Sequence, residues 1–230
     1  MKSEFRFQQF RILQEHCAMK VGTDGVLLGA WASGGKRLLD IGTGTGLIAL
    51  MMAQRFPDAH VDAIEIVSEA VKQARENIGA SSFADRINVQ EVAIQKYKVP
   101  YYDAIVSNPP FFYNALKNPD LSRRKARHTD TLSYRELFNS VKRLLTDEGE
   151  FSAVIPFDCK IAFETEAFLQ GFFLSREYAV RTTSRKQPKR FLLAFRKCPL
   201  RNIEKREVVM MNADNTRSDW YSELTKDFYL

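Results

Sequence analysis

The chain has 230 residues, of which 45% are hydrophobic and 27% are charged, as in an ordinary globular protein with one substantial core. Its apolar runs, such as residues 47–53, fall short of the roughly 20 residues that span a bilayer, and its N-terminus has no apolar signal segment. We therefore expect a cytoplasmic protein without membrane segments.

The charge is unevenly distributed. Thirty-four lysines and arginines outnumber 28 acidic residues, for a formal net charge of +6. Residues 181–201 hold eight basic residues and no acidic one, and residues 123–128 form a second basic cluster. Each run is as typical of a solvated surface as of a nucleic-acid footprint. The cysteines at positions 17, 159 and 198 lack the spacing of a zinc site, so no metal is expected.

Apolar periodicity alternates between strand and helix along most of the chain. Residues 5–12 partly alternate apolar with polar side chains, as a strand or hairpin arm does. Thr23 or Asp24 can then N-cap a short helix. These patterns predict an N-terminal extension over residues 1–33 and a main domain over residues 34–230.

In the main domain, strand patterns recur between helices of roughly 10 to 15 residues. This alternation predicts an α/β fold with a doubly wound, mostly parallel seven-stranded sheet that carries helices on both faces. Ligands of such sheets bind beyond the carboxyl ends of the strands. The predicted strands are residues 37–41, 61–66, 87–92, 104–106, 150–155, 172–180 and 191–195, and the clearest helices are 47–55, one capped by Ser68, and 133–145, opened by a Ser133/Glu136 capping box.

A glycine-rich loop, residues 40–46, ends the first of these strands and opens the next helix. Glycines there let a ligand approach the backbone where side chains would collide. The loop is not a dinucleotide site, because Leu47 stands where the GxGxxG pattern requires glycine or alanine. Glu65 follows about 20 residues later at a strand end, where a carboxylate can accept both ribose hydroxyl protons. The predicted cofactor contacts are Asp40, Gly42, Gly44, Gly46 and Glu65.

The segment Asn108-Pro109-Pro110-Phe111 directly follows the strand at residues 104–106. An exocyclic amine is a poor nucleophile because its lone pair is delocalised, so an enzyme must orient it. The side-chain oxygen of Asn108 and the carbonyl of Pro109 can accept the amine protons, and consecutive prolines fix these acceptors. Phe111 offers a face for an extruded base. No strong general base is needed, since the amine gains acidity as it is alkylated.

Both motifs resemble those of class I S-adenosylmethionine-dependent methyltransferases with a Rossmann-like fold. Residues 40–46 match their DxGxGxG signature, and residues 108–111 match the [DNS]PP[YFW] motif of members that modify planar amines. These enzymes usually place an acid near the cofactor adenine after the third strand. Ala93 stands at the best-matching position here, and Glu91 is the nearby carboxylate. The resemblance implies S-adenosylmethionine as cofactor, with Glu91 as a candidate contact.

Adenine N6, cytosine N4 and a glutamine amide all present a planar amine, and the motif alone does not choose among them. Further segments resemble the bacterial tRNA1(Val) (adenine(37)-N6)-methyltransferase family: residues 5–10 with 19–31, residues 126–129 before 132–134, and residues 224–230. With the two motifs, this resemblance covers nearly the whole chain. It implies transfer of a methyl group to N6 of adenosine 37, beside the anticodon of a valine tRNA.

The resemblance also implies how tRNA and cofactor are held. Residues 20–24 would cover the cofactor, with Thr23 or Asp24 as contacts, although either residue can equally serve as a helix cap. The basic clusters would bind the tRNA backbone. The oligomeric state is left open, with a monomer as the default. The residues implied to bind RNA are Arg123, Arg124, Lys125, Arg127, Lys186, Lys189 and Arg190.

Two alternatives come from other classes. A protein glutamine N5-methyltransferase also carries an NPP motif, but it would need a helical substrate-binding domain for which 33 residues are too few. A non-catalytic RNA-binding module would be expected to have lost the glycines or the NPPF segment, and both are present.

Overall fold

The computed structural model describes residues 4–15, 21–99, 101–109 and 132–230. No helix within these ranges is long and apolar enough to cross a membrane. The strands are β1 Glu4–Arg6, β2 Arg11–Leu13, β3 Arg37–Ile41, β4 His60–Glu65, β5 Ile87–Glu91, β6 Tyr102–Ser107, β7 Leu145–Pro156, β8 Phe173–Arg181, β9 Arg190–Arg196 and β10 Glu204–Val209. The helices are α1 Thr23–Trp31, α2 Leu47–Arg55, α3 Ser68–Gly79, α4 Tyr134–Leu144, α5 Lys160–Leu169 and α6 Asp219–Thr225.

Strands β3 to β10 form one sheet in the order β10-β8-β9-β7-β6-β3-β4-β5. Every neighbouring pair is parallel except those that involve β9, which runs antiparallel to β7 and to β8. The predicted α/β, doubly wound, mostly parallel architecture is therefore confirmed. The predicted number of seven strands is wrong, because β10 adds an eighth strand that the sequence pattern missed. This edge strand buries only Val208 and exposes three consecutive charged residues, so it has no apolar periodicity.

Helices cover both faces of the sheet because successive strand residues point to opposite sides. Leu38 belongs to the core under α1, α2 and α3, whereas its neighbour Leu39 belongs to the core under α4 and α5. The second core is rich in aromatic rings, and Phe138 of α4 makes edge or tilted contacts with Phe151 and Phe163. Together the two cores hold the strands, and hence the residues at their ends, in fixed positions.

The sequence predicted N-cap residues for three helices, α1, α3 and α4. The capping box of Ser133 and Glu136 is confirmed, with the serine hydroxyl and the glutamate each accepting a backbone N–H of the other. The predicted caps at Thr23 or Asp24 and at Ser68 are wrong, because α1 and α3 are preceded by Gly22 and Val67, which make no side-chain cap bond. Thr23, Asp24 and Ser68 instead lie inside the first turns of their helices, so their side chains are available for other contacts.

The hairpin of β1 and β2 is built into the main domain. Asn77, a buried residue of α3, accepts a hydrogen bond from the Leu13 amide (2.8 Å) and donates to the Leu13 carbonyl (2.9 Å) and to the Thr45 carbonyl (2.9 Å). At the other end, the Gln8 amide donates to the carbonyl of Phe228 (2.9 Å). Asn77 thus ties the strand that leads into α1 to the glycine loop.

Candidate active site

The two sequence motifs leave adjacent strands at the same level. Ile41 of β3 pairs with Ile64 of β4 and with Ser107 of β6, and the Ser107 hydroxyl donates to the Ile41 carbonyl (3.0 Å). Because neighbouring strands lie about 5 Å apart, the glycine loop and Asn108 emerge side by side at the carboxyl edge of the sheet. The register therefore brings the predicted cofactor loop and the predicted catalytic segment together.

The glycine loop forms an open cradle. Gly42 and Gly44 have φ angles of +72° and +57°, which side chains disfavour. A Cβ at either position would meet no atom of the described residues within 4 Å, so the backbone is open toward a ligand. The amides of Gly42 and Thr43 donate to the Ile64 carbonyl (2.9 and 3.1 Å), which anchors the turn to β4. A ligand can therefore lie directly against the loop backbone.

Asp40 is fully buried beneath this loop. Its Oδ2 accepts hydrogen bonds from the Thr43 hydroxyl (2.6 Å) and the Ala49 amide (3.2 Å), whereas its Oδ1 accepts none from the described part of the chain. Burial raises the pKa of this carboxyl to about 7, and the two hydrogen bonds only partly oppose that effect. A buried acceptor with a spare oxygen suits a cationic group such as the ammonium of S-adenosylmethionine.

Glu65 ends β4 beside the cradle. One carboxylate oxygen accepts from the Gly44 amide (3.1 Å), and the other accepts from the amides of Ile66 (2.8 Å) and Val67 (3.1 Å). These bonds fix the carboxylate at the loop where it can also accept ribose hydroxyls. Ile66 and Val67 are 48% and 54% exposed, large apolar side chains next to a polar site. This apolar surface suits a cofactor ring. The sequence analysis did not predict it, and the position of Ile66 and Val67 directly after Glu65 is the one sequence feature that could have indicated it.

Glu91 ends β5 directly opposite Glu65 in the strand register. The Ser68 hydroxyl, from the first turn of α3, donates to the Glu91 carboxylate. Ala93, at the position where related enzymes usually carry an acid, contributes its carbonyl to the amides of Lys96 and Tyr97. Glu91 is therefore the carboxylate at the carboxyl end of β5, and the Ser68 hydroxyl holds it in place.

These residues fit S-adenosylmethionine. The glycine cradle accepts a ligand against its backbone, Asp40 has a buried oxygen for the ammonium, and Glu65 can bind the ribose. When bound, this cofactor supplies an electrophilic methyl group on its sulfonium. Within the described residues, no group of three histidine, cysteine or acidic side chains is placed to hold a metal ion.

Asn108 and Pro109 follow β6 at the site, where Asn108 is partly buried and Pro109 is buried. Two groups of predicted site residues lie outside the described residues. They are Pro110 and Phe111 of the catalytic segment, and Arg123, Arg124, Lys125 and Arg127 of the first basic cluster.

Asp24, in the first turn of α1, forms an ion pair with Arg190 at the start of β9. The Arg190 side chain is only 12% exposed, which limits what else it can contact. Lys186 and Lys189 differ: both are exposed and make no ion pair within the described ranges, and Arg185, which the sequence analysis did not single out, shares these properties. The ion pair between Asp24 and Arg190 ties the start of α1 to the start of β9.

The loop formed by residues 182–189 joins β8 to β9, and we call it the β8–β9 loop. Because β7 is parallel to β6 while β9 is antiparallel to β7, β9 starts at the edge where β6 ends. Two strand spacings, about 10 Å, separate β6 from β9. The β8–β9 loop therefore lies at the same edge as Asn108.

Sequence comparisons identify the family to which the chain belongs. Residues 21–183 match the methyltransferase small domain. The tRNA1(Val) (adenine(37)-N6)-methyltransferase of Bacteroides thetaiotaomicron is 46% identical, over 98% of this chain and 97% of that protein. The enzyme of the same name from Aeromonas hydrophila is also 46% identical, over 99% of this chain and 98% of that protein.

The chain belongs to the tRNA1(Val) (adenine(37)-N6)-methyltransferase family. This membership confirms the resemblance inferred from the sequence motifs, and with it a methyltransferase that uses S-adenosylmethionine. Among the described residues, the site residues that the sequence predicted, such as Asn108 and Glu65, lie at one edge of the sheet.

Solved structures show the same fold at low sequence identity. A protein from Agrobacterium tumefaciens described as a predicted O-methyltransferase superposes with a TM-score of 0.69 and 15% identity, covering 89% of this chain and 96% of its own. A methyltransferase from Pyrococcus furiosus gives a TM-score of 0.55 and 22% identity, covering 75% and 80%. At these identities, the likeness concerns the fold of this family member and not its substrate.

Proposed function

We propose that this chain transfers the methyl group of S-adenosylmethionine to N6 of adenosine 37 in tRNA1(Val). The observation that carries the proposal is the Asn108-Pro109 segment, which emerges beside the glycine cradle in the register of β3 and β6. The full-length similarity to enzymes named for that reaction supports adenine in tRNA over the other planar amines.

The chemistry asks the chain to position an amine rather than to ionise it. The Asn108 side-chain oxygen and the Pro109 carbonyl accept the two N6 protons, which turns the lone pair toward the methyl group. The bound cofactor would supply the methyl group, and Asn108 and Pro109 would hold the amine in place until it has released one proton to water. Phe111 stacks on the extruded adenine. Asn108 thus acts by orientation and by stabilising the charge that develops on N6.

The cofactor contacts follow from the cradle. Asp40 binds the ammonium, Glu65 binds the ribose hydroxyls, and Glu91 lies near the adenine. The N-terminal extension, residues 1–33, covers the cofactor, with Thr23 as a contact. Asp24 already pairs with Arg190, so we assign Asp24 a supporting role through that ion pair.

The tRNA backbone binds along the part of this edge formed by β7, β8 and β9, which we call the substrate side. Lys186 and Lys189 on the β8–β9 loop are exposed, and we assign them phosphate contacts. Arg123, Arg124, Lys125 and Arg127 complete the proposed footprint, whereas Arg190 acts through Asp24. A tRNA substrate implies a cytoplasmic enzyme, and we propose that it acts as a monomer.

The test is methyl transfer from labelled S-adenosylmethionine to bulk tRNA from a strain that lacks this protein, followed by nucleoside analysis. We expect N6-methyladenosine in a valine tRNA, and N108A should form it at least about 100-fold more slowly. Label on added protein alone would instead support a glutamine N5-methyltransferase. Absence of label on both tRNA and protein would support a non-catalytic RNA-binding module.

A further inference from the structure

An exposed aromatic ring lies at the substrate side of the active-site edge. Phe157 directly follows β7 and is 49% exposed, although a phenylalanine beside a core would ordinarily be buried. Ser107 pairs with Ala153, so Phe157 lies three residues beyond the level of Asn108, about 10 Å along the strand direction and one strand to the side. That position is above the edge, where the substrate of the neighbouring segment must lie.

The ring is held rather than loose. It stacks on Phe191 of β9, with centroids 6.0 Å apart and planes inclined by 29°. The Phe157 amide donates to the Lys189 carbonyl (3.1 Å), which ties the aromatic residue to the β8–β9 loop. One face of Phe157 is therefore supported by a second ring, and its exposed surface is presented at low cost in side-chain entropy.

The charges around the ring suit a polyanion. Arg185, Lys186 and Lys189 are exposed on the adjoining loop and make no ion pair within the described residues. The acids of the neighbouring groove are neutralised: Glu177 pairs with Lys160 (3.3 Å), and Glu207 pairs with Arg181 (2.6 Å). Asp158 is the exposed acid next to Phe157. The β8–β9 loop thus carries three positive charges, compared with the single negative charge of Asp158.

A groove beside the ring has room for a planar group. It has a volume of about 440 Å³ and lies between the Phe157–Phe191 pair and strand β10, with Gln187 and Pro188 of the loop at its rim. An aromatic face next to unpaired cations is the usual combination in proteins that bind single-stranded nucleic acid, where bases stack and phosphates meet the charges.

We propose that Phe157 stacks on an unpaired base that flanks the target adenosine, while Arg185, Lys186 and Lys189 hold the phosphates of the same strand. This inference rests on the proposed function and names how its RNA substrate is gripped. A base that is paired in a stem keeps its faces covered by its neighbours, so the ring selects a loop. Phe157 is then a binding residue that favours an anticodon loop over helical RNA.

The test compares F157A with two matched variants in binding and methylation of unmodified tRNA. F157Y keeps the aromatic face, and F168A removes a more exposed phenylalanine (71%) from the last turn of α5, at the opposite edge of the sheet. We expect F157A to raise the Kd for tRNA about tenfold, as loss of one stacked base does, and to leave the Kd for S-adenosylmethionine unchanged. F157Y and F168A should bind tRNA like the wild type.

A second measurement removes any ambiguity from folding. F157W should fold with the ring stack retained, and its added fluorescence should be quenched when an isolated anticodon stem-loop binds but not when an RNA duplex of equal length is added. Equal Kd values for F157A and wild type, in a chain that methylates tRNA, would overturn the stacking role alone. A wild-type chain that transfers no methyl group to tRNA would overturn the proposed function and this inference together.

Discussion

The two halves of the active-site edge are built differently. On the cofactor side, β3, β4 and β5 present the cradle, Asp40 and Glu65 through backbone turns and short hydrogen bonds between adjacent strands. On the substrate side, β7, β8 and β9 present Phe157 and the β8–β9 loop, whose charged side chains point into solvent. The cofactor is one fixed small molecule and needs a rigid, desolvated site, whereas RNA is bound through screened charges and stacking. Changes on the two sides should therefore have separable effects.

Asn108 lies on the line between the two halves, and its replacement has the largest expected effect. N108A removes an acceptor that acts on the reacting amine, so methyl transfer should fall at least about 100-fold, in the range found when one transition-state hydrogen bond is lost. The Kd for S-adenosylmethionine should stay within a few fold of the wild type. Single-turnover transfer and calorimetric titration measure the two quantities, with N88A on β5 as the control. Loss of cofactor binding in N108A would show that Asn108 supports the fold of the site instead.

Charge reversal on the β8–β9 loop should affect the substrate side alone. We expect R185E/K186E/K189E to weaken tRNA binding about 50-fold at 0.15 M salt, and to reduce the slope of log Kd against log salt by about 2, because three phosphate contacts are lost. The matched control is K36E/K142E/R201E, which changes the net charge equally at the opposite edge of the sheet. If both triple variants bind alike, only net charge matters and the loop is not part of the footprint.

Glu65 tests the cofactor side in the same way. In E65Q an amide replaces the carboxylate that accepts from the Gly44 amide and that we propose binds the ribose, so the Kd for S-adenosylmethionine should rise about 30-fold, as for a lost charge-assisted hydrogen bond. Binding of tRNA should not change. The exposed acid Glu148 gives the control E148Q, with both affinities as in the wild type. A tRNA defect in E65Q would mean that the two halves are coupled.

Asp40 gives the smallest expected effect and one that depends on pH. The carboxyl has a pKa raised to about 7 by burial, and the cofactor ammonium should bind its ionised form. Near pH 6 only about a tenth of the carboxyl is ionised, so the Kd for S-adenosylmethionine should be about tenfold higher than at pH 8. In D40N this difference should vanish; a D40N profile that still parallels the wild type would assign the titration to another group.

The same shift affects stability without cofactor. The folded pKa lies above the unfolded value of 3.8, so the unfolded chain is the first to release this proton as pH rises. Asp40 therefore lowers the free energy of unfolding between about pH 4 and pH 7, by an amount on the order of 4 kcal/mol. Denaturant unfolding of wild type and D40N across this range should show a steeper decline in the wild type.

The sequence predicted the cofactor side more completely than the substrate side. The spacing of glycines and the identity of the residue at the end of a parallel strand are local features of the sequence. The register of β3, β4 and β6 then brings Gly42, Glu65 and Asn108 together, because the carboxyl ends of these strands lie at one edge of the sheet. Phe157 and Arg185 carry no motif, and their roles depend on the reversed direction of β9. Arg190 shows the converse case, because it lies in a basic run but pairs with Asp24 from a distant helix.

By itself the sequence determined the fold class, the family and the residues that follow each strand, because strand and helix periodicity and short motifs are set by neighbours in the chain. Only the tertiary structure decided which cations face solvent, that β10 forms the edge strand of the sheet beside β8, and that Phe157 lies above the active-site edge. Those properties depend on which distant segments meet: burial, ion pairing and exposure are fixed by contacts across the sheet and not by the spacing of residues along it.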